Sequence, residues 1–403
     1  MINSPFFIQA EHALNEQWPE SFQTGIARHF FSPARINLIG DHIDYCGGKV
    51  LPAAIQFGTW FIARNNEQDR VRVYSVNQSE AMEFALGQSI ERTPGNHWGN
   101  YIKGVFSEYQ KSGVDLPALD IALVGNIPGG GLSSSASLEV GIALLIETFA
   151  GGADFQNSFA NKQKISWLAQ RAENDFVGMN CGVMDQASVA LGKAGMAMCL
   201  DCETLDVDYV PVNLDRHCLL ILNSCKNRNL TESAYNQRRQ ETETALSRVS
   251  TKMRVDSLCD LGIDQIDAAL DLIDDELLKQ RARHVISEND RVLKAVEALK
   301  KADLNLFGRL LNESHHSLRY DFQVTGVELD RLIDLARKQE GVLGARMMGG
   351  GFGGCGLALL DKDCVDDFIA AVGPAYRSTI GYAAEFYPVE IVDGAHEISR
   401  QVT

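Results

Sequence analysis

Residues 126–137 read Asn-Ile-Pro-Gly-Gly-Gly-Leu-Ser-Ser-Ser-Ala-Ser, and no other stretch restricts the fold so tightly. Leu119 to Val124 before it has the composition of a strand. Ser134 to Phe149 after it is rich in Ala, Leu and Glu and reads as a helix. Strand, glycine turn and helix in that order bring backbone amides and a helix N-terminus to one point. Gly129, Gly130 and Gly131 let the main chain approach an anion without side chains intervening. Leu132 and Ser133 then lead into Ser134 and Ser135, where N–H groups and the helix dipole favour negative charge and a hydroxyl suits Mg²⁺. No Gly-Lys-[Ser/Thr] follows the glycines, so this is no Walker A loop, and the spacing gives no G-x-G-x-x-G fingerprint. A flexible turn with serine N-caps reads the same residues.

A second run, Gly349-Gly350-Gly351-Phe352-Gly353-Gly354-Cys355, lies between a helical and an extended stretch. Glycines around one aromatic imply close backbone packing or a tight turn. Polar residues cluster twice more. Arg35, Asn37, Asp41, His42 and Asp44 surround apolar Ile36, Leu38 and Ile39, which suggest a buried strand. Buried charge must be paired. Either a sugar or polyol site, where carboxylates and imidazole bind hydroxyls, or a surface loop with its own ion network meets that need. Further on, Glu173 stands near a helix C-terminus and Asp185 after the turn at Cys181-Gly182-Val183. An Asp paired to Arg35 orients a hydroxyl better than it deprotonates one.

A chain of 403 residues is long enough for two domains. With 37 Lys and Arg against 53 Asp and Glu, its net charge of -16 counts against nucleic acid and anionic membrane as partners. Residues 1–18 carry no signal-peptide pattern, and the apolar run Leu357 to Leu360 stops at Asp361, far short of a membrane span. Nine cysteines are too few for a disulfide scaffold, and their odd number fits free thiols in a reducing, cytoplasmic setting. Cys199 and Cys202 form a C-x-x-C, but on a strand, with no partner set for zinc.

Strands are expected at Ala53 to Asn65, Arg70 to Val76, Ala187 to Val189, Ala194 to Leu200, Cys355 to Leu360 and Glu385 to Ile391, with two more between Asp206 and Leu222. Helices are expected at His12 to Thr24, Asn100 to Tyr109, 162–175, 231–249, 264–280, 284–301, 303–313, Val327 to Glu340 and 363–371. The pattern predicts an α+β protein of two domains, 1–205 and 206–403, without a barrel rhythm or internal repeat.

Taken together, these segments resemble the galactokinase branch of the GHMP kinases. Ser32 to Tyr45 looks like the galactokinase signature, Ile127 to Ser137 like the family's phosphate motif, and Gly349 to Cys355 like its third motif. Trp98-Gly99-Asn100-Tyr101, Asn223-Ser224 and Ser233-Ala234-Tyr235-Asn236 are similar to minor motifs in the family's order. The resemblance implies an N-terminal ribosomal protein S5 domain 2-like domain and a C-terminal ferredoxin-like α/β domain, with the active site in the cleft between them. It implies ATP-dependent phosphorylation of the C1 hydroxyl of α-D-galactose, by a monomer or weak homo-oligomer. Asp185 would be catalytic, and Arg35 would pair with it and stabilise developing phosphoryl charge. Asp41, His42, Ile43, Asp44, Gly182 and Tyr235 would bind the sugar. Gly129 to Ser135 would cradle the nucleotide, with Asn77 and Trp98 lining its site, and Ser135 and Glu173 would hold Mg²⁺.

Three positions depart from the family pattern: Ala34 for Gly, Asp41 for Glu, and Lys226-Asn227-Arg228 for the usual Lys-Arg pair. One methylene less at Asp41 draws the carboxylate back by roughly 1.5 Å, at the position expected to face the C6 hydroxyl. Ile43 to Gly47 also looks like the N-acetylgalactosamine kinase branch, which keeps other galactose-like sugars open. A sugar- and ATP-sensing regulator is the alternative from another class.

Overall fold

The computed structural model describes residues 4–20, 26–151, 158–226 and 231–398. Its strands are β1 (Arg28–Asn37), β2 (Lys49–Val50), β3 (Pro52–Asn65), β4 (Arg70–Ser75), β5 (Glu80–Ala85), β6 (Leu119–Gly125), β7 (Met196–Asp201), β8 (Val207–Pro211), β9 (His217–Asn223), β10 (Val342–Met347), β11 (Cys355–Asp361), β12 (Glu385–Pro388) and β13 (His396–Glu397). Its helices are α1 (Pro5–Gln17), α2 (Gly99–Lys111), α3 (Ser134–Gly151), α4 (Phe159–Arg171), α5 (Met184–Leu191), α6 (Thr231–Val249), α7 (Ile266–Leu270), α8 (Glu276–Lys300), α9 (Leu304–Ser317), α10 (Val327–Ala336) and α11 (Val365–Ile380).

One sheet runs β13-β1-β3-β6-β4-β5, antiparallel except where β4 meets β6. β1 is buried along nearly its whole length because both faces are covered. Phe7 and Leu14 of α1 join Trp60 and Phe31 on one face, while α3 packs on the other. α3 is apolar almost all round because β1, β3, α2, α4 and α5 surround it; by length and composition alone it would also suit a membrane. A second, antiparallel sheet runs β10-β11-β9-β12, with Leu220, Leu222, Leu332, Ile333, Phe368 and Tyr376 forming its core against α10 and α11. A third runs β2-β7-β8.

The chain's last stretch leaves the second sheet after β12 and returns to the first half. Val392 N–H donates to Ala54 O (3.0 Å), Gly394 to Gly192 (2.8 Å) and Ala395 to Val189 (2.8 Å), before β13 pairs with β1.

Some elements differ from expectation. Ala187 to Val189 lies within α5, not a strand, since a short apolar run buried on several sides carries no clear period. The helix expected at 264–280 stops at Leu270, the end of α7, and the one expected at 284–301 lies within α8, which starts earlier, where Asp275 caps the Leu277 and Leu278 amides. α1 begins at Pro5, well before His12, and residues 21–24 of the expected helix lie outside those described. β5 is a polar edge strand that sequence composition conceals.

Candidate active site

Where β1 ends, Arg35 turns inward, 3% exposed. Its Nε and Nη2 each donate to one oxygen of Asp185 at 2.8 Å, a bidentate pair, and Nη1 donates to Gly131 O at 2.7 Å. Asp185 sits in the first turn of α5, where the helix dipole favours a carboxylate. The Ser133 hydroxyl also donates to Asp185, from a residue held at φ 61°. Backbone completes the connection, Arg35 N–H donating to Leu132 O at 3.2 Å. A strand end, the glycine loop and a helix N-terminus are thus joined through one ion pair.

That pair opens onto a cleft of about 360 Å³. Gly130, Gly131, Ser133, Ser134 and Ser135 line one part of it, and Glu173 lies beside them. Gly129 does not line the cleft; it packs against the Asn223 amide, which donates to Pro128 O at 2.9 Å. Leu132 is buried in the core. Glu173 belongs to the π-turn Ala172–Val177 and accepts from Gln186 Nε2 at 2.6 Å. Burial and the Asp185 charge push its carboxyl up to about 7, against hydrogen bonds that include the Ser135 hydroxyl. Glu139, on α3 one turn beyond Ser135, is fully buried behind it, and burial plus the Glu173 charge push its carboxyl well above the usual range.

Glu139 and Gln186 were not anticipated, although an acid one turn past Ser135 in an apolar helix was the available signal. Among the described residues, no group of three or more His, Cys, Asp or Glu side chains could hold a metal alone. The oxygen-only pair Ser135 and Glu173 nonetheless fits a hard cation that takes one or two protein donors and otherwise phosphates and water. A cation there would relieve the cost of ionising the buried Glu173.

Asp41, His42, Asp44, Gly182, Tyr235 and Gly349 to Gly351 line the remaining wall. Asp41 is 1% exposed; it accepts from Asn37 Nδ2 at 2.9 Å and pairs with the fully buried Arg346, which also donates to Asn37 O and Leu38 O at 3.1 and 3.0 Å. His42 Nδ1 meets the Tyr45 hydroxyl at 3.1 Å, and its buried Nε2 makes no hydrogen bond of ordinary geometry. Burial, then the nearby His284, draw the His42 ring down to about 3, so it is neutral near pH 7. Burial, then Asp185 and Asp41, push Asp44 up to about 7. Any side chain at Gly182 would begin 2.1 Å from Asp44 Oδ2, so glycine alone leaves that carboxyl its place.

Three further expected residues do not line the cleft. Ile43 is core. Asn77 pins the end of β6 by two bonds to Gly125, at 2.9 and 2.7 Å. Trp98 donates to Glu80 at 2.7 Å and stacks on His97. Lys226 pairs with Glu328 at 2.9 Å, while Asn227 and Arg228 lie outside the described residues.

Residues 16–65 match the galactokinase galactose-binding signature, 100–193 the GHMP kinases N terminal domain and 295–377 the GHMP kinases C terminal domain. A galactokinase of Lactiplantibacillus plantarum is 46% identical over 390 residues, covering 96% of this chain and 99% of that one. A galactokinase of Clostridium tetani is 43% identical over 386 residues, covering 96% and 97%. The crystal structure of Lactococcus lactis galactokinase complexed with galactose superposes with a TM-score of 0.90 at 42% identity, covering 96% of this chain and all of that one. A mevalonate kinase crystal structure, 16% identical, shares the fold alone, with a TM-score of 0.62 over 91% of this chain and 99% of that one. With the signature on the loop that carries Asp41 to Asp44 and close relatives along nearly its whole length, the chain belongs to the galactokinase family of GHMP kinases.

Proposed function

We propose that the chain transfers the terminal phosphoryl group of ATP to the C1 hydroxyl of α-D-galactose, giving galactose 1-phosphate and ADP. One observation carries the reading. The Arg35–Asp185 pair is bonded to the glycine loop through Gly131, and the Asp185 charge is felt both by Asp44 and by Glu173 within one cleft.

In this reading Gly130, Gly131, Ser133, Ser134 and Ser135 receive the nucleotide's phosphates at the N-terminus of α3. Asp41, His42, Asp44, Gly182 and Tyr235 hold the sugar, with Ile43 packed in the core beneath them. Asp185 accepts from the C1 hydroxyl and aims its oxygen at phosphorus, while Arg35 offsets the charge that gathers in transfer. Both Asp185 oxygens already accept from Arg35 and Ser133 adds another bond, so orientation outweighs proton removal. Ser135 and Glu173 would hold Mg²⁺, which supplies charge neutralisation on the phosphates when bound. Residues 1–205 would act as the lobe carrying signature and phosphate loop, and 206–403 as the lobe carrying the second glycine run. That no disulfide joins the nine cysteines among the described residues supports work in a reducing cytoplasm.

Purified protein with ATP and a panel of hexoses tests this, with NMR of the product fixing the phosphorylated carbon. Galactose at C1 is expected; turnover of another hexose without galactose overturns it. Asp185→Asn should cut kcat by at least ~10³ with galactose still bound in calorimetry, and near-normal kcat would remove Asp185 from the mechanism.

A further inference from the structure

We infer that α8 clamps the loop bearing Asp41 and His42, and that His284 and Glu288 are positioning residues for the sugar, an inference that rests on the galactose reading above. His284, Glu288, Asn289 and Val292 recur at helical spacing and face residues 40–49. Glu288 Oε1 accepts from the Gly40 N–H at 3.0 Å and from the Ser314 hydroxyl at 2.5 Å. His284 Nε2 lies 3.1 Å from the Asp41 carbonyl oxygen, to which it donates. Asn289 accepts from the Lys49 N–H at 3.0 Å. A Cβ on Gly40 would lie 2.9 Å from Val292 Cγ2, so helix and loop touch at the backbone.

Both His284 and Glu288 are wholly buried, and neither lines the cleft. A carboxylate in a dry interior is expensive and persists only with firm partners. Glu288 has them, because Arg291 Nε donates to its second oxygen at 2.7 Å. What it holds in return is a loop in an unfavourable shape. Gly40 stands at φ 101° and His42, a non-glycine residue, at φ 65°. Such a conformation endures where the surroundings over-determine it. Arg346 of β10 holds the same loop through Asp41, Asn37 and Leu38. The Asp41 carboxylate and the His42 ring therefore project into the cleft from a backbone fixed by three buried side chains.

Removing the Glu288 carboxylate leaves the Gly40 amide unpaired in the interior and lets the loop relax away from the sugar. Glu288→Ala should raise KM for galactose about tenfold or more while KM for ATP stays within about twofold, and Glu288→Gln, which keeps an acceptor, should recover most of the loss. A fall in Tm with both KM values unchanged, or moving together, overturns the inference. If Glu288→Ala does not fold, the pair His284→Asn and His284→Gln decides: KM for galactose rises when the donor at Nε2 is lost and recovers when the Gln amide replaces it. Equal values in both overturn it. Hydrogen–deuterium exchange of residues 38–46 separates the clamp from the activity. It should quicken about tenfold in Glu288→Ala with the six-stranded sheet unaffected, and unchanged exchange refutes the clamp. Wild-type protein that turns over no galactose would instead refute the activity, leaving the exchange result to judge the clamp.

Discussion

Asp41 shows how much one methylene decides. Its carboxylate lines the cleft yet is engaged by Asn37 and Arg346, so in the proposed reading it would meet a sugar from a retracted position. Asp41→Glu should reach further into the cleft and raise kcat/KM for galactose severalfold, with a smaller change for galactose altered at C6; identical ratios across both sugars would show that the residue does not face C6. Arg35 is less forgiving. Two nitrogens match the Asp185 carboxylate and the third holds Gly131, a geometry that an ammonium cannot reproduce. Arg35→Lys should lower kcat/KM at least ~100-fold in a protein that still unfolds cooperatively, though at a lower Tm, measured by steady-state kinetics beside calorimetry. These residues were legible because the signature places charge where a buried strand tolerates none unpaired. Arg346 and Glu139 were not, since each stands in a stretch whose neighbours read as ordinary core, and only the fold shows which charges face each other.

At the scale of elements, the glycine loop between β6 and α3 could be read from its order alone, because strand, glycine turn and helix admit few arrangements. α5 could not. Its eight residues are too few to show a helical period, yet its N-terminus presents Asp185. The turn before it depends on Gly182, whose missing Cβ gives the Asp44 carboxyl its room. Gly182→Ala should raise KM for galactose about tenfold or more with little change in KM for ATP; equal effects on both would place the damage in the fold rather than in the sugar wall. The π-turn that presents Glu173 likewise escaped a reading that continued the helix to residue 175. Glu173→Ala should raise the Mg²⁺ concentration needed for half-maximal rate by about tenfold or more, and an unchanged titration would exclude it as a ligand.

For the whole molecule, the buried acids set opposing demands on pH. Asp44 and Glu173, both pushed up to about 7, retain in the fold a proton that the unfolded chain releases. Their contribution to stability therefore declines as pH rises from about 4 to about 7. Burial would raise Glu288, but Arg291, His284 and Arg346 hold it down at about 2, so its contribution is present above the ordinary carboxylate range and lost as pH falls from there to about 2. Ligand-free protein should thus lose several degrees of Tm between pH 5 and pH 8 in scanning calorimetry. Asp44→Asn should flatten that slope, and a profile flat in the wild type would contradict the assignment. Size and composition had promised two cores and no nucleic-acid surface, but could not foresee that the C-terminal stretch would go back to the first sheet.

That return has a mechanical meaning. The β9–β12 sheet is joined to the first half both by the chain leaving β8 and by the stretch after β12, which is stitched to Ala54, Val189 and Gly192. A body on a single strap can swivel. This one is held by two, and Arg346 of its β10 is bonded to Asn37 and Leu38 of the first half, so the second glycine run is kept against Gly131 of the first.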